Sequence, residues 1–267
     1  MQAYNGLRED MKRLPIPLLL LAMALSVSAR ADLTLNGRST VVAMGMQGNG
    51  KEKVWLSKAL IRRDMVDRGK AYSNIFDLKA REVIVLDHSL RQATVYSTAS
   101  LKEQTDASVD SKAIKLDLKA TGRTHTLQKW PCAEHSLSLA MPAEIGGERL
   151  SFEMDGTIWL ARNTPEQKET ATVLKFMQEP DFFMGIPALA KTSPVQARGI
   201  SEAIRRLAPL GLLCSVDVAL RYKGTGRVAT LSKKMASRIS LTYDDYGTEP
   251  IAKGTFEVPA GYKVMKP

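Results

Sequence analysis

Ile114-Lys115-Leu116-Asp117-Leu118-Lys119 places its aliphatic side chains on one side of an extended chain and its charges on the other, because successive Cβ atoms along a strand point to opposite faces. Leu137-Ser138-Leu139-Ala140-Met141 repeats the period, as do Val216-Asp217-Val218-Ala219-Leu220-Arg221-Tyr222 and Ile239-Ser240-Leu241-Thr242-Tyr243. Between residues 37 and 160 such segments alternate with turn residues, which predicts an antiparallel meander with one apolar and one polar face. The late strands extend the same sheet, with Lys223-Gly224-Thr225-Gly226 read as the turn between neighbours.

Two helices interrupt the strands. Thr164-Pro165-Glu166-Gln167 and Ser193-Pro194-Val195-Gln196 each combine a hydroxyl at the N-cap, Pro at the first helical position and Gln at N3. The first helix is expected to run to about Gln178, with Val173, Leu174 and Met177 on one side and Pro180 as its stop. The second presents Ile200, Ala203, Ile204 and Leu207 at helical spacing, and Pro209-Leu210-Gly211 ends it. A one-sided apolar sheet needs cover. The expected fold is therefore α+β: about nine to eleven strands in a curved antiparallel sheet, an incomplete β-barrel that two helices cover. Such a shape can leave a hollow.

The N-terminus carries export signals. Lys12-Arg13 precedes an almost wholly apolar run from Leu14 to Val27, and Ala29-Arg30-Ala31 follows as a small-x-small exit. Residues 1–31 are read as a signal peptide, with Met11 a better start than Met1, and 32–267 as a single domain. The alternative is a buried N-terminal helix of a cytosolic protein. The run falls short of the roughly 20 residues that span a bilayer, and no later stretch matches it. The location expected is periplasmic or secreted. Cys132 and Cys214, the only two cysteines, read as a disulfide in an oxidising compartment; a pair of buried thiols, or a reactive Cys132 beside His135, are the other readings.

The chain has 267 residues, 44% apolar, 25% charged and a net charge of +10. That balance excludes a disordered chain and a polytopic membrane protein. The basic residues are dispersed among acids, without the aromatic interleaving of a nucleic-acid surface. An anionic envelope surface, phospholipid or polysaccharide, is the plausible charged partner for an exported chain.

Several segments in order resemble the DUF4412 family of exported bacterial proteins, itself similar to LolA/LolB-type lipoprotein carriers. Lys53-Val54-Trp55-Leu56 to Arg63-Asp64-Met65 resembles its opening strands. Ile75-Phe76-Asp77-Leu78 through Val85-Leu86-Asp87 to Val95-Tyr96 resembles its paired strands. Thr121-Gly122-Arg123 leads through Leu127 to Trp130-Pro131-Cys132 and Leu137, Thr157-Ile158-Trp159-Leu160 matches its Trp strand, and Phe256-Glu257-Val258-Pro259-Ala260-Gly261-Tyr262 its closing segment. The loop from Glu179 to Lys191, the longer second helix and Cys214 depart from the pattern. The resemblance implies an envelope protein with a LolA-like sheet and helical lid, and it supplies no catalytic residues.

No catalytic motif is legible. His88, His125 and His135 are too scattered for a zinc set, and no nucleophile elbow or phosphate loop occurs; Gly45 to Gly50 reads as a Gly-rich turn. Asp87-His88 and Asp244-Asp245 read as solvated turn residues, and Trp55 and Trp159 as core. No cofactor or metal is expected. Phe182, Phe183, Met184, Ile186 and Leu189, in the connector between the helices, read either as plugs in ordinary core or as a lid over an apolar ligand. The functional expectation is non-enzymatic binding or shielding of a lipid or other apolar ligand. The alternatives are an envelope scaffolding module with a filled core that meets a protein partner, and, more remotely, a hydrolase.

Overall fold

The computed structural model describes residues 32–43, 46–67, 70–106, 113–127, 129–179, 187–192, 194–234 and 237–266. The expected leader, 1–31, lies outside them. Six strands come first: β1 (Asp32–Ala43), β2 (Met46–Ser57), β3 (Leu60–Asp67), β4 (Lys70–Asp77), β5 (Glu82–Asp87) and β6 (Gln92–Ser97). Helix α1 (Thr98–Asp106) leads to the long strands β7 (Lys115–Leu127), β8 (Trp130–Ile145) and β9 (Glu148–Ala161). Helices α2 (Pro165–Glu169), α3 (Ala171–Phe176), α4 (Pro187–Thr192) and α5 (Pro194–Leu207) follow. The chain ends with β10 (Leu212–Lys223), α6 (Arg227–Lys234), β11 (Ser237–Gly247) and β12 (Lys263–Met265).

All twelve strands form one sheet, in the order β12-β6-β5-β4-β3-β2-β1-β11-β10-β9-β8-β7. It is large, curved and not closed into a barrel. Two meanders meet where β11 pairs antiparallel with β1, and the one parallel pairing among the described strands joins β12 to β6. Directly opposed residues share a face, so the register defines the two sides. One row runs Leu33, Leu56, Ile61, Phe76, Val83 across β1 to β5. Another runs Leu137, Gly156, Val218, Ile239, Val41 across β8 to β1 by way of β11. Helices cover this apolar side on two flanks. Val195, Ala203 and Leu207 of α5 with Val228 and Ala229 of α6 pack on β7 to β10. Val173, Leu174 and Phe176 of α3, with Met177 after it, pack on β1 to β5.

The polar side carries ion pairs between neighbouring strands, such as Arg238 with Asp217 and Arg221 with Glu153 and Asp155. Its outer strands β4 to β6 are covered differently: Phe256, Val258 and Tyr262 of the C-terminal segment pack on Ile75, Leu86 and Ala93. Cys132 on β8 and Cys214 on β10 are disulfide-bonded, with Ala161 of the intervening β9 buried between them. The bond spans 82 positions of sequence.

The helices depart from their expected form. The first is divided at Thr170, whose hydroxyl donates to the Glu166 carbonyl at 2.9 Å and whose backbone leaves the helical region. A side-chain bond of this kind competes with the helical ladder. Its start is as read: Thr164 Oγ1 accepts from Gln167 N at 3.1 Å, and Gln167 Oε1 accepts from Asn163 N. In α5 the buried residues are Val195, Ala197, Gly199, Ser201 and Ala203, whereas Ile200 and Ile204 are half-buried. The helix lies so close to the sheet that a Cβ on Gly199 would be 3.0 Å from Met141 Sδ. Small residues admit that approach, and the branched ones are displaced to the flank. Ser193, the expected cap, lies outside the described residues.

Lys223-Gly224-Thr225-Gly226 opens not a hairpin but α6, whose first amides, Arg227 N and Val228 N, donate to the Glu148 carboxylate at 2.9 Å each. A Cβ on Gly226 would overlap that carboxylate, so the cap requires glycine there. Gln47 to Gly50 belongs to β2 rather than to a turn, and Asp244-Asp245 lies inside β11 at a bulge opposite Asn36 and Gly37.

Candidate functional site

Of the expected lid, Phe182, Phe183, Met184 and Ile186 lie outside the described residues, and Leu189 belongs to α4. The last described residue before the connector, Glu179, borders a small pocket lined by Phe76, Leu78, Thr98 and Phe176. Its volume, about 20 Å³, holds about one water. The apolar side is less completely covered elsewhere. On the halves of β1, β10 and β11 away from α2 and α3, Val216, Ile239 and Leu241 are half-buried and Val41 is 39% exposed. All four face the helix-covered side by register. They form an apolar valley between the two helical roofs.

The same side contains a buried charge. Glu52 on β2 accepts from Arg63 of β3, Nε at 2.9 Å and Nη2 at 2.5 Å, and from the Tyr243 hydroxyl of β11 at 2.6 Å. Glu52 is 5% and Tyr243 9% exposed, so both carboxylate oxygens need these donors. Burial, then the Glu52 charge, pushes the Tyr243 hydroxyl well above the usual tyrosine range. Burial opposes the Arg63 charge, but Glu52 and Tyr243 leave its pKa raised overall. Burial and the Glu166 charge likewise push up Tyr246, which donates to the Leu213 carbonyl. Glu166 itself is 4% exposed, and one of its oxygens and the indole N–H of Trp130 have no partner among the described residues. These groups are fixed polar points in an apolar core.

His88 lies in the turn between β5 and β6 as read, but its ring is bonded on both nitrogens rather than simply solvated. Ser73 Oγ lies 2.6 Å from its Nε2 and Tyr262 Oη 2.7 Å from its Nδ1. Arg62 Nη2 donates to Ser73 Oγ at 3.2 Å, so the four side chains form one connected hydrogen-bond chain whose proton directions through the ring follow the His88 tautomer. A Ser–His pair invites a hydrolase reading. Ser73, however, is 0% exposed beneath the C-terminal segment, and a nucleophile must be reachable by its substrate. The chain Arg62–Ser73–His88–Tyr262 instead latches that segment to the sheet, aided by Arg62 Nη1 donating to the Thr255 carbonyl. Trp55 lies on this side too, half-buried, with Lys53 and Arg62 over its ring. Trp159, read as core, is likewise half-buried and packs at the disulfide. Among the described residues no group of His, Cys, Asp or Glu could hold a metal ion.

The polar side holds an open groove of about 830 Å³ over β11, β1, β2 and β3. Arg38, Thr40, Asn49, Lys51, Ser240 and Thr242 contribute to its lining. Arg38 donates to both oxygens of Asp244, at 2.5 and 2.7 Å. Strand periodicity marks these positions as solvent-facing; it could not show that four strands place them side by side.

No known family model and no curated protein matches the sequence. The chain is similar to a domain provisionally assigned to an outer membrane lipoprotein-sorting protein of Vibrio parahaemolyticus, with 6% identity, 90% of this chain and 95% of that one covered, and a TM-score of 0.32. A DUF1329 family protein from Desulfovibrio piger is similar at 9% identity, 90% and 94% coverage and a TM-score of 0.31. Neither superposes at a level that shows a shared fold, and the resemblance to the DUF4412 family stands on the quoted segments alone.

Proposed function

We propose that this chain, freed of residues 1–31 on export to the periplasm, is a single-domain, non-enzymatic protein that shields a lipid or other apolar ligand against the helix-covered side of its sheet. The observation that carries this reading is the valley of Val41, Val216, Ile239 and Leu241, apolar and incompletely covered between two helical roofs. An acyl chain laid there would remove those side chains from water, at about 25 cal/mol per Å² of apolar surface. Phe182, Phe183, Met184, Ile186 and Leu189 enter the proposal as adaptable cover. Among the described residues no helix is long and apolar enough to cross a membrane. The Cys132–Cys214 disulfide supports an oxidising compartment.

Native mass spectrometry after mild extraction, with uptake of a fluorescent fatty acid, tests the proposal. Co-purifying lipid, and uptake lost in Ile239→Glu, support it. Ligand-free protein without uptake refutes it and leaves the second reading, an envelope scaffold with a filled core. That reading draws on the small pocket beside Glu179, which at about 20 Å³ is far too small for an acyl chain.

A further inference from the structure

We propose that the polar side of the sheet carries a second, independent binding site, for an acidic saccharide, in the groove over β11, β1, β2 and β3. The groove's volume of about 830 Å³ lies within the roughly 300 to 1,000 Å³ typical of small-ligand sites. It is assembled from two cross-strand rows. Thr242, Arg38, Lys51 and Val66 stand opposite one another on β11, β1, β2 and β3, and Ser240, Thr40 and Asn49 form the next row. All these residues point to the side away from the helices.

Neighbouring bonds fix part of the lining and leave the rest available. Asn49 Oδ1 accepts from Thr40 Oγ1 and Gln47 Nε2, both at 3.2 Å, which turns its amide donors elsewhere. Asp217 accepts from Ser240 and from two nitrogens of Arg238, whose bond lowers the Asp217 pKa. Among the described residues Lys51 Nζ, the Asn49 amide donors, the Thr242 hydroxyl and Arg38 Nη1 have no partner. The groove thus offers cationic and neutral donors beside two carboxylates, Asp244 and Asp217, already anchored by arginines. Sugar hydroxyls both donate and accept, and this mixture matches them. A bare anion would meet the two carboxylates with nothing to offer them.

The acidic group is assigned to Lys51. It stands beside Arg38, whose charge Asp244 balances, in a chain that without residues 1–31, which hold four basic and two acidic residues, keeps a net charge of +8 that draws anionic partners. Val66, 48% exposed at the end of the first row, provides an apolar spot for the C–H face of a ring. The valley of the proposed lipid site lies on the opposite side of the same strands, so each site can fail without the other.

Calorimetric titration of the mature protein with trimers of galacturonate, glucuronate and mannuronate tests the assignment, with maltotriose and inorganic phosphate as comparisons. The expected result is saturable binding of at least one uronate trimer. Lys51→Ala and Asn49→Ala should each weaken it about tenfold, Val66→Trp should weaken it by crowding the end of the first row, and fatty-acid uptake should be unchanged. Absence of saturable uronate binding overturns the proposal, as does maltotriose binding equally well. Binding matched by phosphate and insensitive to Asn49→Ala would reduce the site to nonspecific charge attraction and also overturns it. Lys51 and Asn49 are exposed, so unfolding is not expected of their variants; Val66→Trp on the neighbouring strand gives a separate readout.

Discussion

Replacing Tyr243 by Phe removes one hydroxyl from the interior and nothing else. The lost bond is from a buried phenol to a carboxylate at 2.6 Å, and Glu52, 5% exposed, is largely shielded from solvent. Hydrogen bonds to charged groups contribute about 1.5 to 3 kcal/mol, and leaving the acceptor unsatisfied puts the cost near the upper part of that range. For a domain of this size 1 kcal/mol corresponds to about 2 to 4 °C, so Tm should fall by about 4 to 10 °C. Differential scanning calorimetry at neutral pH measures it, with urea unfolding as the check on two-state behaviour. Glu52→Leu should cost more, about 3 to 5 kcal/mol, because Arg63 then loses its counter-ion. Combining Glu52→Leu with Arg63→Met and Tyr243→Phe should restore much of the loss, since an apolar trio of similar volume leaves no polar group stranded. A fall in Tm of less than about 1 °C for Tyr243→Phe, or a triple variant no more stable than Glu52→Leu, would refute the network as described.

Two further expectations concern the same core. Breaking the Cys132–Cys214 bond by Cys→Ala at both positions should cost about 4 to 5 kcal/mol, the chain-entropy value for a loop of this length; an unchanged urea midpoint would contradict a closed loop. Above about pH 10 the protein should lose stability. The folded state holds Tyr243 and Tyr246 protonated, while the unfolded chain releases their protons, so alkali favours unfolding. Tyr243→Phe should flatten that alkaline decline, and an equally steep fall in the variant would count against burial of the phenol.

The sequence carried the local rules well. Alternation in Leu137 to Met141 and in Val216 to Leu220 identified the side facing the core, because strand period is a property of the backbone itself. The Thr164 cap marked the start of the first helical stretch, whereas Pro180, its expected stop, lies outside the described residues. What failed were features that depend on a residue distant in sequence. Glu148 caps α6, so a Gly-containing turn became a helix start. Asp87 caps its turn as read, accepting from Ser89 N and Leu90 N, but His88 meets Tyr262 from the far end of the chain and becomes part of a latch. The site was less legible than the fold: nothing in the spacing of Thr40, Asn49 and Ser240 brings them into one groove, and Val41 looks no different from a core valine.

By itself the sequence determined a two-sided antiparallel sheet, helices with written starts and a single candidate cysteine pair, since period, capping and residue counts are local quantities. Tertiary structure alone decided that β11 docks on β1, placing Arg38 against Asp244 and Tyr243 over Glu52. It also decided that α5 meets the sheet through Gly199 rather than through its isoleucines. Pairing between strands and the closeness of a helix are set by the fit of surfaces far apart in the chain, which no window of sequence contains.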